Sequence, residues 1–145
     1  MDLFNIFKKL IPTSILPLCY LANRTIRKAN GKVQSGPFSG MKYIDKAYCS
    51  SICPKLTGTY EKEIQNTIKQ LLRQKFDAFI DIGSAEGYYS IGFARYGNCE
   101  QVYSYECSEE ACKLQYVLAE KKEVGSKLRL LGSCNCGDLR SVLKK

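Results

Sequence analysis

Three acids and two glycines, Asp81, Glu86, Glu106, Gly83 and Gly87, carry the spacing in this chain that can do chemistry. Residues 79–87 read F-I-D-I-G-S-A-E-G, an apolar run that ends in an acid, turns on Gly83 and Gly87 and feeds a helix-like segment. A parallel strand that delivers its end to a glycine-rich turn is how an open α/β sheet builds a cofactor site. Glycine admits backbone conformations that a Cβ blocks and lets a ligand lie close to the chain. Nineteen residues beyond Gly87, the strand-like run 101–105 ends in Glu106. An acid at the tip of a second strand is placed to accept hydrogen bonds from both ribose hydroxyls of a nucleoside. The pairing points to an adenosine-containing cofactor.

The glycine spacing narrows the choice. A dinucleotide fingerprint, G-x-G-x-x-G, presses a pyrophosphate against backbone at a helix N-terminus. Here the spacing is G-x-x-x-G, and Asp81 and Glu86 beside it repel a pyrophosphate and suit a cation. D-x-G-x-x-x-G followed by an acid ending the next strand resembles the class I S-adenosylmethionine-dependent methyltransferases. That resemblance implies that Asp81, Gly83 and the turn Ser84, Ala85, Glu86 and Gly87 lie against the methionine part and its sulfonium, while Glu106 holds the ribose. Two further motifs, G-P-F-S-G-M-K-Y at 36–43 and P-K-L-T-G-T-Y-E-K-E-I at 54–64, join D-I-G-S-A-E-G-Y-Y-S-I-G at 81–92 in a likeness to the FkbM-type methyltransferases over about residues 36–140. The likeness implies O-methylation of a sugar or another small molecule, with S-adenosylmethionine as cofactor and a small-molecule acceptor as partner. It also lays the 54–61 turn over the cofactor mouth, which makes Tyr60 and Glu61 site candidates; simple helix initiation is their structural alternative. Asp138, at the head of the last helix, completes the cofactor-side set. No residue is assigned as general base.

The elements that must position these groups follow from periodicity. Thr57 or Thr59 can cap a helix running to about residue 75, with Glu61 and Glu63 at the positive end of its dipole. Residues 76–82 form a first strand, too apolar on both faces to be an edge, and residues 88–96 a crossover helix ended by Gly97. A second strand over 102–106, a helix from Glu109 to about residue 124, a third strand over 127–131 and a helix from Asp138 follow. This is the alternation of half a doubly wound sheet: an α/β, Rossmann-like open twisted sheet of the class I methyltransferase type, with about three core strands. An N-terminal helix and irregular segment precede it. Residues 1–56 read as a basic helix and connector, and 57–145 as the N-terminal half of the cofactor-binding domain. A complete fold of that type has seven strands, so the chain reads as a fragment, a remnant or one completed by a partner. An exposed sheet edge then invites self-association.

Charge is concentrated at the start. The chain carries a net charge of +8, of which residues 1–46 hold +6 and the remainder +2. A basic arm of this kind suits an anionic membrane surface or nucleic acid. The aromatics are not interleaved with arginines as nucleic-acid modules have them, so no nucleic-acid partner is expected. Leu3, Phe4, Ile6, Phe7, Leu10 and Ile11 fall mostly on one helical face before Pro12 and Pro17 interrupt it, so residues 1–22 are expected to make at most weak membrane-surface contact. The eight cysteines lie partly inside patterned elements and the chain has no histidine, which reads as free thiols in a cytoplasmic protein rather than as a disulfide scaffold. A four-thiolate zinc site from Cys49, Cys53, Cys134 and Cys136 is the alternative; its spacings are not the usual knuckle, and no metal is expected. Two other readings stay open: a catalytically inactive nucleotide-binding or structural remnant, and a basic nucleic-acid-binding module.

Overall fold

The computed structural model describes residues 17–120 and 124–143. The amphipathic run at 3–11 lies outside them. Three parallel strands, β1 (Lys75–Ile82), β2 (Asn98–Tyr105) and β3 (Leu128–Leu131), form one sheet in the order β1-β2-β3. Helices α4 (Tyr88–Tyr96) and α5 (Glu109–Glu120) make the two crossovers, and α6 (Cys136–Leu143) follows β3. This is a Rossmann-like α/β arrangement, as the alternation of elements predicts.

The register decides which side chains share a face. Phe79 stands opposite Val102, Asp81 opposite Ser104 and Ile82 opposite Tyr105. Alternation along a strand sends odd and even positions to opposite faces. Phe79 stacks on Phe93 of α4 with ring centroids 3.8 Å apart, so the odd positions of β1 face the crossover helices. On the other face Tyr103, Tyr105, Arg129 and Leu131 share a cleft of about 320 Å³ with Asp138, Ser141 and Val142 of α6. The two crossover helices and α6 thus serve different faces of the sheet.

Ahead of the sheet stand three helices, α1 (Pro17–Ala29), α2 (Ile52–Thr57) and α3 (Gln65–Leu71). Several expected boundaries are corrected here. Residues 17–29 are helical, whereas residues 23–42, with Gly31, Gly36, Pro37 and Gly40, read from the sequence as an irregular connector. Pro17 does not break this helix but opens it, where its missing N–H costs nothing. The connector proper begins after Ala29 and forms one antiparallel bridge, Lys32 to Lys42. The long helix expected from Thr57 is divided. Gly58, at φ +77, closes α2 with its N–H on Lys55 O, and Thr57 Oγ1 donates back to Cys53 O, so Thr57 ends a helix rather than starting one. Glu61 is also left-handed (φ +44), and a 3-10 turn over Lys62–Ile64 leads into α3. Strand β2 begins at Asn98, four residues early, because its polar start still pairs with Lys75 to Ala78.

A further correction concerns β1. Its apolar sequence argued against an edge position, yet among the described residues it pairs with β2 alone, and Ile82 is 59% exposed.

One core joins the connector to the sheet. Val33, Phe38, Met41, Tyr43 and Leu56 are buried in the same cluster as Ile91, Phe93, Val102 and Leu118. Each large side chain removed from water in this way contributes about 1.5 to 3 kcal/mol before entropy is counted. The motif at 36–43 therefore sends Phe38, Met41 and Tyr43 into the core, with Phe38 set edge-on against Tyr88 and Phe93 of α4.

Candidate functional site

The turn between β1 and α4 is fastened to the end of β2. The N–H groups of Gly83 and Ser84 both donate to Tyr105 O, at 2.9 and 3.1 Å, and Ser84 Oγ donates to the same oxygen. Gly83 lies at φ +76, and a Cβ built on it would meet nothing within 4 Å. Gly87, at φ +91, is different in kind: a Cβ there would come within 3.0 Å of Gln115 and Ile91. The first glycine of the turn thus faces open space and the second packs α4 onto α5. Ala85 between them is held left-handed at φ +49, a conformation that costs a residue with a Cβ about 1 to 2 kcal/mol. Its N–H donates to Glu106 Oε2 at 2.8 Å.

Glu106 stands at the tip of β2, as its position in the sequence predicts. Its second oxygen accepts from Ser108 N–H at 2.8 Å, so the carboxylate clamps the turn and the start of α5 together. Burial alone would push its pKa up, but the backbone N–H groups of Ser108, Ala85 and Cys107 overcome that and hold it below the ordinary value. The side chain borders a cleft of about 350 Å³ shared with Cys107, Cys112, Lys113, Tyr116 and Gly132. That volume lies at the lower end of the range for small-molecule sites.

Asp81 sits one strand over and is half-buried. Its Oδ2 accepts from Ser90 Oγ at 2.5 Å, and burial raises its pKa against that hydrogen bond, with the Glu106 charge adding to the rise. Behind it runs a buried polar chain that sequence reasoning missed. Ser90 and Ser104 hydroxyls lie 2.7 Å apart, and Gln115 Nε2 donates to Ser104 Oγ at 2.7 Å and to Ser84 Oγ at 2.8 Å. This chain ties α4, β2, α5 and the turn to one another. Single polar letters in α4, β2, α5 and the turn were its only trace.

Glu86 is committed elsewhere. It is fully buried and points into the core, where Lys55 Nζ donates to Oε1 as an ion pair, Tyr43 Oη donates to the same oxygen at 2.6 Å, and Tyr48 N–H donates to Oε2 at 3.1 Å. Burial acts to raise its pKa, and the Lys55 and Tyr43 hydrogen bonds more than offset this, leaving it lowered. The cation that this acid faces is the chain's own Lys55.

Tyr60 packs on that lysine, while Glu61 is held by Tyr89. Lys55 Nζ lies 4.8 Å from the Tyr60 ring centroid and 5.7 Å from that of Tyr88, a cation–π pairing on two rings. Tyr89 Oη donates to Glu61 Oε2. Burial, with the Glu61 charge second, pushes both Tyr60 and Tyr88 up to about 12. Tyr88 carries a buried hydroxyl with no hydrogen-bond partner. Removing an orphaned polar atom costs no interaction, so Tyr88→Phe is expected to leave stability unchanged or raise it by up to about 1 kcal/mol in urea unfolding. A loss above that figure would mean that the hydroxyl has a partner.

Asp138 is not brought to this corner. It accepts Asn135 N–H at 2.9 Å while its own N–H donates to Asn135 Oδ1 at 3.0 Å, a reciprocal cap that starts α6 at Cys136 rather than at Asp138. Asp138 lines the Tyr103–Tyr105 cleft on the other face. The eight cysteines are unpaired thiols, and no three metal-ligating side chains cluster among the described residues.

The site therefore unites Asp81, Gly83, Ser84, Ala85 and Glu106 at the carboxyl ends of β1 and β2, with Glu86 and Gly87 turned inward as supports. Comparison with models of protein families, with curated proteins and with solved structures finds no match.

Proposed function

We propose that the chain binds S-adenosylmethionine at the carboxyl ends of β1 and β2 and serves methyl transfer to a hydroxyl of a small molecule. The observation that carries this reading is Glu106, an acid at a strand tip bordering an open cleft, beside a left-handed Gly83 whose missing side chain leaves space free. Ala85 N–H donates to one Glu106 oxygen and Ser108 N–H to the other, and a carboxylate has about four acceptor sites, which leaves capacity for ribose hydroxyls. Asp81 and the Gly83 backbone take the methionine end, where the sulfonium charge is complementary to a carboxylate. Transfer from a sulfonium needs little help from a base, and holding the acceptor in line supplies much of the acceleration.

A purely structural turn is the second reading, favoured because both Glu106 oxygens and both Glu86 oxygens already accept hydrogen bonds within the protein. Calorimetric titration of the full chain with S-adenosylhomocysteine separates the two. Micromolar affinity is expected from the wild type. Glu106→Ala should weaken it by about 1.5 to 3 kcal/mol, the scale of a hydrogen bond to a charged group. Because Glu106 also clamps the turn, the cleaner variant is Gly83→Ala, whose methyl meets no protein atom within 4 Å and enters only ligand space. It should lose affinity at least tenfold and keep a cooperative melt. No heat and no thermal shift with the wild type would leave only the structural turn.

A further inference from the structure

The face of the molecule farthest in character from this site is basic, and its charges are arranged at a cost. Lys32 and Lys42 are cross-strand partners in the antiparallel bridge after α1. Val33 N–H donates to Met41 O and Tyr43 N–H to Gly31 O, which makes Lys32 and Lys42 the non-hydrogen-bonded kind of pair. Such partners have Cα atoms about 4.5 Å apart and side chains closer than in the hydrogen-bonded kind. The flanking Val33, Met41 and Tyr43 are buried, so both lysines project outward, and both are exposed. Like charges directly opposite are unfavourable in a sheet. An anion that bridges them removes the penalty.

The helix before this bridge is basic on its exposed side as well. On α1, Tyr20 and Leu21 are 52% and 53% exposed, and Arg24, Arg27 and Lys28 are exposed beyond them. Tyr20, Arg24 and Arg27 stand at i, i+4 and i+7, one stripe of a helix. Its opposite side is committed to the body, where Ala29 is buried and Ile26 packs on the core. No acidic residue occurs between Asp2 and Asp45, so nothing along this stretch repels an anion.

From this surface we infer that α1 and the Lys32–Lys42 bridge form a docking face for an anionic lipid membrane. The basic groups lie against headgroups, and Tyr20 and Leu21 enter the interface. Apolar side chains beside basic ones on one stripe favour a membrane over nucleic acid, whose phosphates have no use for an exposed leucine. No helix among the described residues is long and apolar enough to cross a bilayer, so the contact is with one leaflet.

Vesicle co-sedimentation of the full chain tests this, with phosphatidylcholine vesicles against vesicles carrying about one-third phosphatidylserine. Binding is expected only to the second kind and should fall as salt is raised. Neutralising a basic residue near an anionic surface lowers partitioning by about fivefold, so Lys32→Gln/Lys42→Gln should lower it by about 25-fold. That variant also relieves the charge opposition, so it should melt no lower than the wild type, which separates lost docking from lost folding. Tyr20→Ser/Leu21→Ser should lower binding by about tenfold or more through lost apolar burial. Equal binding to both kinds of vesicle, no binding to either, or indifference to the lysine pair would overturn the inference. Salt-sensitive binding to single-stranded RNA or duplex DNA without binding to vesicles would replace it with a nucleic-acid face.

Discussion

Lys55→Met is expected to cost the fold about 3 to 5 kcal/mol. The substitution leaves the Glu86 carboxylate buried without its counter-charge, and breaking one side of a buried ion pair carries a penalty of that size. For a chain of 145 residues this is a fall in Tm of very roughly 6 to 20 °C. Glu86→Ala should be worse, because it strands the Lys55 ammonium and also the Tyr43 hydroxyl and the Tyr48 N–H. Lys55→Met/Glu86→Leu should recover part of the loss, since a buried pair replaced by apolar residues is often near neutral. Urea midpoints of the three variants decide it. Two single substitutions costing under 1 kcal/mol each would show that the pair contributes nothing. The pH dependence has a definite sign. Glu86 and Glu106 titrate lower in the folded than in the unfolded chain, so their stabilisation is complete above the unfolded carboxylate value, about 4.3. It fades as pH falls through their depressed folded values. Asp81 acts in the opposite sense: its folded pKa is raised, so it opposes folding above its unfolded value, and that opposition is relieved on acidification. In Lys55→Met the acid-side loss assigned to Glu86 should shrink.

Gly58→Ala should cost about 3 kcal/mol or more. A Cβ on Gly58 would fall 1.9 Å from Ser35 O and 2.3 Å from its carbonyl carbon, so backbone must move to admit it. The left-handed φ of +77 adds about 1 to 2 kcal/mol for any residue with a Cβ, and overpacking adds about 1 to 3 kcal/mol. Gly83→Ala supplies the control, since it shares the sign of φ, at +76, and meets no neighbour. The difference between the two variants isolates the collision of the connector with the end of α2. If both lose the same amount, the connector yields freely and does not fix the approach of Tyr60 and Glu61. Far-UV spectra should show both chains folded at low temperature, with Gly58→Ala melting earlier.

What could be read from the sequence was local. The apolar run into Asp81, the glycine turn and the Glu106 tip each occupy the element they were assigned, because strand periodicity and turn chemistry act over a few residues. What could not be read was where a side chain turns. Glu86 sits among the letters that suggested a cation-facing turn, yet its partners are Lys55 and Tyr43, 31 and 43 residues upstream, and no local pattern announces them. Pro17 was read as a break because a proline is one in mid-helix, whereas at the first turn it is tolerated. The polar start of β2 was missed for a related reason: Asn98 to Gln101 are held by pairing with β1, not by their own preference for a strand.

Glu86 also determines which parts of the molecule open together. Its hydrogen bonds reach back from the turn to Tyr43, Tyr48 and Lys55, so the connector cannot peel away without exposing the turn to a charge that has lost its partners. Slow amide exchange should therefore group residues 81–88 with 41–58 as one cooperative unit, with α1 free to exchange earlier. A protease that nicks the exposed stretch near Cys49 would loosen the glycine turn from the far side of the core.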